Sequence, residues 1–303
     1  MKTAIVTGAS SGIGLGIANA LLEHGYCVVA NARRISDSHT LKVAENLALV
    51  DGDIGDRTTA EALTTTAIDR FGSIDLLVNN AGIFISKPFT EYSVADFCAI
   101  TRTNLAGFFH ITQLVLTQMR NQNSGHVITI TTSVVDQPIA GVPSGLANLT
   151  KGGLQSATRA LAIESANQGI RFNAIAPGVV NTPMHPKAAH EFLKRLSPLN
   201  RLAEVSEIVA ALLYLESASF VNGEILHVDG GAHAGKWQRS ASRLDIDQGY
   251  SGAGHLLSHH PGPIRGSADA PPHHTGFEHG GLGLHRSSRS RWLGAERSNR
   301  PSP

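Results

Sequence analysis

Three glycines near the start of the chain have the spacing of a phosphate-binding turn. Gly8, Gly12 and Gly14 separate a short apolar run, residues 3–7, from an amphipathic run, residues 15–23. If the first run is a strand and the second a helix, unpaired backbone N–H groups and the positive end of the helix dipole point at the turn. Glycine lets a pyrophosphate approach the backbone, where a Cβ would block it. The pattern favours a dinucleotide site; a structural turn without a ligand is the alternative.

A second set of small and polar residues follows three later apolar runs, 74–78, 126–131 and 170–175. Taken singly, each of these residues fits a capped strand end or a surface side chain. Taken together, they fall at the strand ends where a dinucleotide and its substrate would bind. The set comprises Asn79, Asn80, Ala81, Gly82, Ser133, Pro177, Gly178 and Thr182, with Asn104 and Lys151 near the starts of two long helical patterns.

The elements that must position these residues alternate along the chain. Apolar runs predict strands at residues 3–7, 26–31, 47–50, 74–78, 126–131, 170–175 and 225–228. Helical patterns lie near residues 15–24, 57–71, 93–98, 103–121, 148–167 and 205–216, and residues 33–46 have room only for a helical stub. The alternation predicts an α/β fold of the Rossmann type, with a doubly wound parallel sheet and helices on both faces. Right-handed crossovers then bring the loops after the strands to one edge.

Composition narrows the class of protein. The chain has 303 residues, 42% of them hydrophobic, and a net charge of +1, which disfavours nucleic acid or an anionic membrane as a partner. The first predicted strand follows Met1 and Lys2 directly, and no apolar run approaches the ~18 residues of a membrane span. We therefore expect a soluble cytoplasmic protein, in which Cys27 and Cys98 are reduced, buried thiols.

The character of the sequence changes after Trp237. Residues 238–303 are rich in His, Arg, Gly and Pro and keep no helical or strand periodicity. Such a segment cannot bury enough apolar surface to offset its ordering entropy, so we predict a disordered tail after a single domain, residues 1–237. Two His-His pairs in the tail, at 259–260 and 273–274, lack a second ligand set at fixed spacing, so we predict no metal site.

The combined pattern resembles the short-chain dehydrogenase/reductase family over roughly residues 3–235. The resemblance is carried by the Thr-Gly-x-x-x-Gly-x-Gly loop at 7–14, Asn-Asn-Ala-Gly at 79–82, Asn104, Ser133, Lys151, Pro177-Gly178 and the closing Gly-Glu-Ile-Leu-His-Val-Asp-Gly-Gly at 223–231. It implies one Rossmann-type domain with a seven-stranded parallel sheet, NAD or NADP as cofactor, and hydride transfer between a carbonyl and an alcohol.

The resemblance also implies roles for individual residues. Ser133 corresponds to a serine that orients the substrate oxygen, Lys151 to a lysine that holds the nicotinamide ribose, and Asn104 to an asparagine that keeps a water linked to that lysine. The residues expected to contact the cofactor are Gly8, Ser10, Ser11, Gly12, Ile13, Gly14, Asp53, Ile54, Asn80, Ala81, Gly82, Lys151, Pro177, Gly178, Val180 and Thr182.

The choice between NAD and NADP depends on the residues after the second strand. An NAD enzyme has a carboxylate there, which accepts hydrogen bonds from the ribose hydroxyls. In alignment with the family that position is Ala32, and Arg33 and Arg34 follow it. A guanidinium fork suits the 2′-phosphate of NADP, so we predict NADP(H). Two exposed arginines at a loop start are the alternative.

The sequence departs from the family pattern at one catalytic position. The family signature Tyr-x-x-x-Lys places a tyrosine four residues before the lysine, but Ala147 stands four residues before Lys151. The four tyrosines of the chain lie elsewhere. Because that phenol gives a proton to the developing alkoxide, its loss typically costs about 10²- to 10⁴-fold in rate.

Three interpretations follow from this departure. In the first, which we favour, the chain is an NAD(P)-dependent oxidoreductase of atypical, weak activity, and a water beside Ala147 relays the proton from Lys151 and Ser133. In the second, it is a non-catalytic NADP(H)-binding regulator or partner subunit of the same fold. In the third, Ala147 is an engineered change in an ordinary reductase. The other site residues support cofactor binding more strongly than catalysis.

Substrate contacts are expected from the loops after the strands, at residues 84–85, 134–142 and 183–200. These loops are mostly apolar, which favours a small or medium apolar carbonyl compound as substrate. His185 and His190 are polar exceptions, either as proton donors or as solvated side chains of a lid.

Two long helical patterns, 103–121 and 148–167, carry apolar residues beyond one stripe. In the family these helices pack between subunits, so the resemblance implies a homodimer or homotetramer. Burial against the sheet is the alternative for the extra apolar residues, which include Phe108, Phe109, Leu114 and Leu116.

Overall fold

The computed structural model describes residues 1–42 and 44–236, and the strands in them form one parallel sheet. The strands are β1 (Thr3–Thr7), β2 (Cys27–Ala32), β3 (Leu47–Asp51), β4 (Leu76–Asn79), β5 (Gly125–Ile130), β6 (Ile170–Pro177) and β7 (Ile225–Val228). Their order across the sheet is β3-β2-β1-β4-β5-β6-β7. From β1 the chain builds the sheet outward to β3 on one side, and then returns to add β4 to β7 on the other side of β1. The topological switch point therefore lies between β1 and β4. The predicted seven-stranded Rossmann-type sheet is confirmed.

Helices cover both faces of this sheet. On one face lie α1 (Gly12–Glu23) and α7 (Val205–Ser217), and on the other lie α2 (Arg57–Phe71), α4 (Gly107–Gln122) and α5 (Gly145–Ser165). Successive residues of β1 therefore point into different cores: Val6 packs towards α1 and Ile5 towards α2, and neither is exposed. Burial on both faces explains why the central strands are continuous apolar runs.

Three connections depart from regular βα units. The link from β2 to β3 has no helix in the described residues 33–42 and 44–46, not even the predicted stub. α3 (Val94–Thr101) joins α4 through a π-helical turn, Arg102–Ala106, and α6 (His190–Lys194) is a short helix in the loop after β6. The predicted disordered tail, residues 238–303, lies outside the described residues.

The structure corrects the prediction for one of the two thiols. It also shows that the extra apolar residues of α4 differ in burial. Cys27 is buried in β2, as predicted, but Cys98 is exposed. In α3, Ile100 is the single buried residue, so the helix meets the protein along a narrow face that does not include Cys98. In α4, Leu116 is 8% exposed and packs in the core, whereas Phe109 is 54% exposed. Burial against the sheet thus accounts for the first of these apolar side chains and leaves the second open to a partner.

Within the described ranges, no helix combines the length and the apolar character that crossing a membrane requires.

Candidate active site

The glycine-rich turn leaves the first amides of α1 available to a ligand. Gly8 and Gly12 have positive φ angles of 68° and 54°, which side chains disfavour. Ser11 precedes α1, yet its side chain caps no backbone N–H group. A Cβ on Gly14 would overlap the carbonyl oxygen of Gly8, so only glycine permits this tight turn. The geometry fits a pyrophosphate at the start of the helix.

The side chain of Asn80 hydrogen-bonds the end of β4 to the glycine-rich turn. Its Nδ2 donates to the carbonyl oxygen of Thr7 at 2.9 Å and to that of Gly8 at 3.2 Å. The hydroxyl of Thr7 accepts from the backbone N–H groups of Asn80 and Ala81, at 3.1 and 3.0 Å. Residues 79–82 therefore lie beside the glycine-rich turn, as their position after a neighbouring strand predicts.

The segment after β6 crosses the same turn. The N–H of Gly178 donates to the carbonyl oxygen of Val228 at 3.0 Å, so the segment starts alongside β7. Val180 is 4% exposed and pairs with the residues just before α7. A Cβ on Gly12 would lie 3.3 Å from the side chain of Thr182, so Thr182 stands next to the start of α1. The structure thus brings Thr182 to the glycine-rich turn, whereas Pro177, Gly178 and Val180 lie on the path of the chain from β6 towards it.

The residues after β2 and β3 lie on the side of β1 away from β4. Arg33 and Arg34 are both exposed, and the guanidinium of Arg34 lies 3.9 Å from Asp37. Among the residues that the structure describes, Arg33 has no carboxylate partner. Ile54 is 5% exposed, and Asp53 forms an ion pair with Arg102 at 3.4 Å. The exposed guanidinium of Arg33 is therefore available to an anionic group.

The π-helical turn before α4 points Asn104 inward, where it is 2% exposed. Its Oδ1 accepts from the N–H of Ile83 at 2.9 Å, and its Nδ2 donates to the carbonyl oxygen of Ile83 at 3.1 Å. The same Nδ2 lies 3.2 Å from the hydroxyl of Thr150, the residue before Lys151. A π turn inside an α-helix often marks a functional position, and this one joins the loop after β4 to α5.

Lys151 lies in the second turn of α5, and its side chain is partly buried. The Nζ donates to the carbonyl oxygen of Ile130, at the end of β5, at 2.7 Å. Burial desolvates the ammonium and lowers the pKa of Lys151 from 10.5 to about 8. A Cβ on Gly82 would lie 3.0 Å from this Nζ and 3.3 Å from Oδ1 of Asn104, so all three residues meet. The group can therefore change its protonation state near neutral pH.

Ser133 and the position before Lys151 complete this edge of the sheet. Ser133 begins a 3₁₀ turn (Ser133–Val135) directly after β5 and is 3% exposed. Ala147 is 1% exposed and lies one helical turn before Lys151, where its side chain ends at Cβ. The nearby hydroxyl of Thr150 donates to the carbonyl oxygens of Leu146 and Ala147, at 2.9 and 3.3 Å. Position 147 thus offers no acidic hydrogen.

The two histidines of the loop after β6 lie close together. Nε2 of His190 lies 3.3 Å from the carbonyl oxygen of His185. Burial, with a smaller contribution from His190, lowers the pKa of His185 below its ordinary value. The lowered pKa disfavours the charged imidazolium of His185, which is the form that would donate a proton.

Three polar side chains that the motifs do not single out also lie at this edge: Asp136, Gln155 and His227. Asp136 follows Ser133 by three residues, and its carboxylate lies 3.1 Å from Nε2 of Gln155 and 2.9 Å from Nε2 of His227. The spacing from Lys151 to Gln155, one helical turn on the same face, is the signal that points to Gln155. His227 lies inside the closing motif at 223–231.

Comparison with known sequences finds a family match over most of the chain. The family described as "Enoyl-(Acyl carrier protein) reductase" matches residues 8–233. The chain is 33% identical, over 241 residues, to the BbsD subunit of (2S)-[(R)-hydroxy(phenyl)methyl]succinyl-CoA dehydrogenase from Thauera aromatica, covering 76% of this chain and 96% of that one. It is also 33% identical to acetoacetyl-CoA reductase from an Acinetobacter species, covering 77% and 98%.

Comparison with solved structures gives the same fold. The structure of ElxO with NADP bound superposes with a TM-score of 0.71 at 27% identity, covering 77% of this chain and 99% of that one. The 3-ketoacyl-(acyl-carrier-protein) reductase from Brucella melitensis, complexed with NADH, superposes with a TM-score of 0.71 at 28% identity, covering 77% and 98%. These neighbours bind pyridine nucleotides of both kinds.

Proposed function

The chain belongs to the short-chain dehydrogenase/reductase family of oxidoreductases, and from this premise we propose that it transfers hydride between NADP(H) and a carbonyl or alcohol substrate. The observation that carries the proposal is the meeting of Lys151, Asn104 and Gly82 at the sheet edge that also holds the glycine-rich turn. A phosphate site alone would need no partly buried ammonium group beside Gly82 and Asn104.

The cofactor would be held by the residues after β1, β4 and β6. The fit rests on the glycine turn, because Gly8 and Gly12 have φ angles suited to glycine and the amides of α1 lack a side-chain cap. Dihydronicotinamide, when bound, supplies the hydride. NADP(H) is favoured over NAD(H) because Ala32 stands where an NAD enzyme has a carboxylate, and Arg33, directly after it, has no carboxylate partner among the described residues. The relatives and neighbours support a pyridine nucleotide and leave this preference to experiment.

The proton for the new alkoxide must come from a group other than a phenol. We assign it to Lys151, whose pKa of about 8 suits donation near neutral pH. As hydride adds to the carbonyl carbon, the oxygen gains the carbonyl π pair and Ser133 orients it. A proton then passes from the ammonium of Lys151 through a water beside Ala147 to that oxygen, and the neutral amine regains a proton from solvent. Without a positioned phenol this route is slow, about 10²- to 10⁴-fold below a reductase that has one.

The substrate is a carbonyl compound with an apolar body. Apolar side chains on the expected substrate loops are open to solvent: Phe84 is 39% exposed, Met184 58%, Phe192 55% and Leu199 62%. Two relatives are named for reactions on coenzyme A thioesters, which supports an acyl thioester ketone as the first compound to test.

The active form is proposed to be a homodimer or homotetramer. Phe109 on α4, with Leu149 and Ile163 on α5, are 54%, 58% and 81% exposed, and a second copy of the chain would cover them. Sedimentation velocity at several protein concentrations tests this assembly.

A second candidate function is NADP(H) binding without turnover, as a regulator or partner subunit. The buried Ala147 favours it, because a turn suited to a phosphate is present whereas position 147 carries no hydroxyl.

Titration of the chain with NADPH and NADH, followed by nicotinamide fluorescence, tests the binding step. We expect tighter binding of NADPH. A preference for NADH would remove the argument from Arg33, and binding of neither nucleotide would overturn both candidate functions.

The variant Ala147→Tyr tests the chemistry. Restoring a phenol one turn before Lys151 should raise the turnover of 3-oxoacyl thioesters with NADPH by about 10²- to 10⁴-fold. Ala62→Tyr is the matched control, since it adds a phenol at an exposed position of α2, away from the proposed interface, and should change nothing. Equal, robust activity in the unchanged chain and Ala147→Tyr would show that another group already supplies the proton efficiently. A folded Ala147→Tyr protein that binds NADPH and turns over no ketone would favour the non-catalytic function.

A further inference from the structure

The backbone hydrogen bonds of the turn that carries Ser133 are internal to it. The N–H groups of Asp136 and Gln137 both donate to the carbonyl oxygen of Ser133, each at 3.1 Å, and the N–H of Val135 donates to the carbonyl oxygen of Thr132 at 3.4 Å. Bonds within the turn do not fix its orientation relative to neighbouring elements, so that orientation depends on further contacts.

Side chains from two other elements supply those contacts through Asp136. The carboxylate of Asp136 accepts from Nε2 of Gln155, on α5, at 3.1 Å and from Nε2 of His227, on β7, at 2.9 Å. Gln155 is 2% exposed and also lies 3.4 Å from the carbonyl oxygen of Thr132. The turn around Ser133 is therefore fastened to the helix of Lys151 on one side and to the edge strand on the other.

His227 is itself held in place. Its ring stacks on that of His233 with centroids 3.8 Å apart and an interplanar angle of 17°. Nδ1 of His233 lies 3.0 Å from the carboxylate of Asp229, which also accepts from the backbone N–H groups of Gly231 and His233 at 2.9 and 2.8 Å. The Asp229 side chain is 2% exposed, so this anchor is rigid.

The hydrogen-bond roles at Asp136 follow from charge. Burial raises the pKa of this carboxyl, but the hydrogen bonds from His227 and Gln155 lower it more, so the group stays ionised. An ionised carboxylate only accepts hydrogen bonds, so Nε2 of His227 carries the hydrogen.

Resting on the reductase function proposed above, we propose that His227 is a positioning residue of this enzyme: acting through Asp136, it fixes the turn that presents the hydroxyl of Ser133 to the substrate oxygen. Ser133 supplies a hydroxyl at this edge that can orient the substrate when position 147 is alanine. A small displacement of such a group lowers the rate steeply, by up to about 10²-fold for 1 Å. The hydrogen bond between His227 and Asp136 thus affects the rate through the orientation of Ser133.

Two substitutions at position 227 separate positioning from simple structural support. His227→Phe keeps a ring that can stack on His233 and loses the donor to Asp136. His227→Gln keeps an N–H donor of similar reach. The ring borders a cavity of about 210 Å³, so neither change forces neighbouring groups apart. Gln122→Met is the matched control, because Gln122 braces both backbone groups of Ile74 at the opposite edge, at 3.0 and 2.9 Å.

Each protein is measured in three ways: kcat and KM for a 3-oxoacyl thioester, the Kd of NADPH, and hydrogen exchange of the peptide spanning residues 131–137. For His227→Phe we expect kcat to fall roughly 10- to 100-fold while KM and Kd stay within about 3-fold, and exchange at 131–137 to quicken. His227→Gln should restore kcat and slow exchange. Gln122→Met should lower stability and leave kcat unchanged.

Unchanged kcat and unchanged exchange in His227→Phe would overturn the inference, as would a loss of kcat that His227→Gln does not restore. If no protein turns over a ketone even with Ala147→Tyr added, the proposed reductase function fails. The exchange measurement then still decides whether His227 fixes the turn.

Discussion

At the amino edge of the sheet the carboxylate of Glu216 accepts hydrogen bonds from three side chains, whereas at the carboxyl edge the ammonium of Lys151 donates to one carbonyl oxygen. The donors to Glu216 are Lys2 at 2.8 Å, Tyr26 at 2.7 Å and His126 at 2.8 Å. Two of these donors are cationic or can become so, but no carboxylate in the described residues pairs with Lys151. The charge of Glu216 is therefore balanced by its partners, whereas the charge of Lys151 has no carboxylate partner among the described residues.

The network around Glu216 extends to two further side chains. Nε2 of His126 lies 3.0 Å from Nδ2 of Asn173, and its Nδ1 lies 2.8 Å from Glu216 and 2.9 Å from a guanidinium nitrogen of Arg171. Arg171 also donates to four carbonyl oxygens at and after the end of α7, at 2.8 to 3.2 Å. Burial alone would raise the pKa of Glu216, but the hydrogen bonds of its three partners lower it to about 2.

The difference separates two uses of a buried charge. A paired charge that stays ionised over the whole physiological range contributes to stability and does no proton chemistry. An ammonium with one neutral partner costs stability, yet its pKa lies where it can give up and regain a proton. Each prediction below tests whether the two edges divide stability and activity in this way.

Lys151→Met should have the largest effect of these changes, and it should lower activity without lowering stability. Methionine keeps the length of the side chain and removes the charge, so turnover should fall by about 10²- to 10⁴-fold. The free energy of unfolding should stay the same or rise by up to about 3 kcal/mol, because a desolvated charge is gone. Rates of NADPH oxidation and urea unfolding curves measure the two quantities.

If the unchanged chain is too slow for this comparison, the substitution is made in the Ala147→Tyr background. Unchanged turnover would remove Lys151 from the proton route, and a large loss of stability would erase the contrast between the edges.

Glu216→Ala should lower stability and leave NADPH binding unchanged. Removing one member of a buried network leaves its partners uncompensated, so the free energy of unfolding should fall by about 3–5 kcal/mol. The Kd of NADPH for the folded protein should not change, because Glu216 lies at the edge away from the glycine-rich turn. Glu164→Ala is the control: its exposed pair with Arg120, at 2.9 Å, should contribute less than about 1 kcal/mol. Weaker NADPH binding in Glu216→Ala would show that the edges are coupled.

The pH dependence of stability should show both charges with opposite signs. The pKa of Glu216 is about 2 in the folded protein against an ordinary 4.5, so its contribution is present above pH 4.5 and is lost as the pH falls towards 2. The pKa of Lys151 is about 8 against an ordinary 10.5, so its cost is full below pH 8 and disappears as the pH rises towards 10.5. Each change amounts to at most about 3 kcal/mol.

Urea unfolding of the unchanged chain, Glu216→Gln and Lys151→Met across this pH range isolates the two contributions as difference curves. A flat difference curve for either variant would contradict the assignment of its charge. In the reduction direction, turnover of the unchanged chain should decline above pH 8, and this decline should be absent from the residual rate of Lys151→Met.

The sequence predicts most of the fold because its signals are local. The helix predicted at 57–71 is α2, and the strand predicted at 225–228 is β7, since turn residues flank clear periodic runs. The exposure of Cys98 was not predictable in this way, because the pattern of α3 does not say which side meets the protein. The prediction of a helical stub at 33–46 was wrong for the described residues, because chain length sets an upper limit on a helix and does not require one.

The residues of the site can be predicted from the sequence, but the hydrogen bonds among them are harder to predict. Ser133, Asn104 and Lys151 could be assigned to one edge, because parallel strands with right-handed crossovers place their following loops together. The bond between Asp136 and His227 joins residues that are 91 positions apart, and local patterns do not reveal such a pairing. The pKa of Lys151 depends on burial by several elements, so it too required the folded structure.

The π-helical turn at Arg102–Ala106 should make this chain more tolerant of substitutions than of deletions at that place. A π turn holds one residue more than the α-helical turn it replaces. Deleting a single residue there would restore a regular helix, keep the phase of the later positions of α4 nearly unchanged, and remove the widened turn that points Asn104 inward. Asn104 would then lose its two hydrogen bonds with Ile83. We therefore expect one-residue deletions in this short stretch to be rare among working descendants of this gene, even where substitutions accumulate freely.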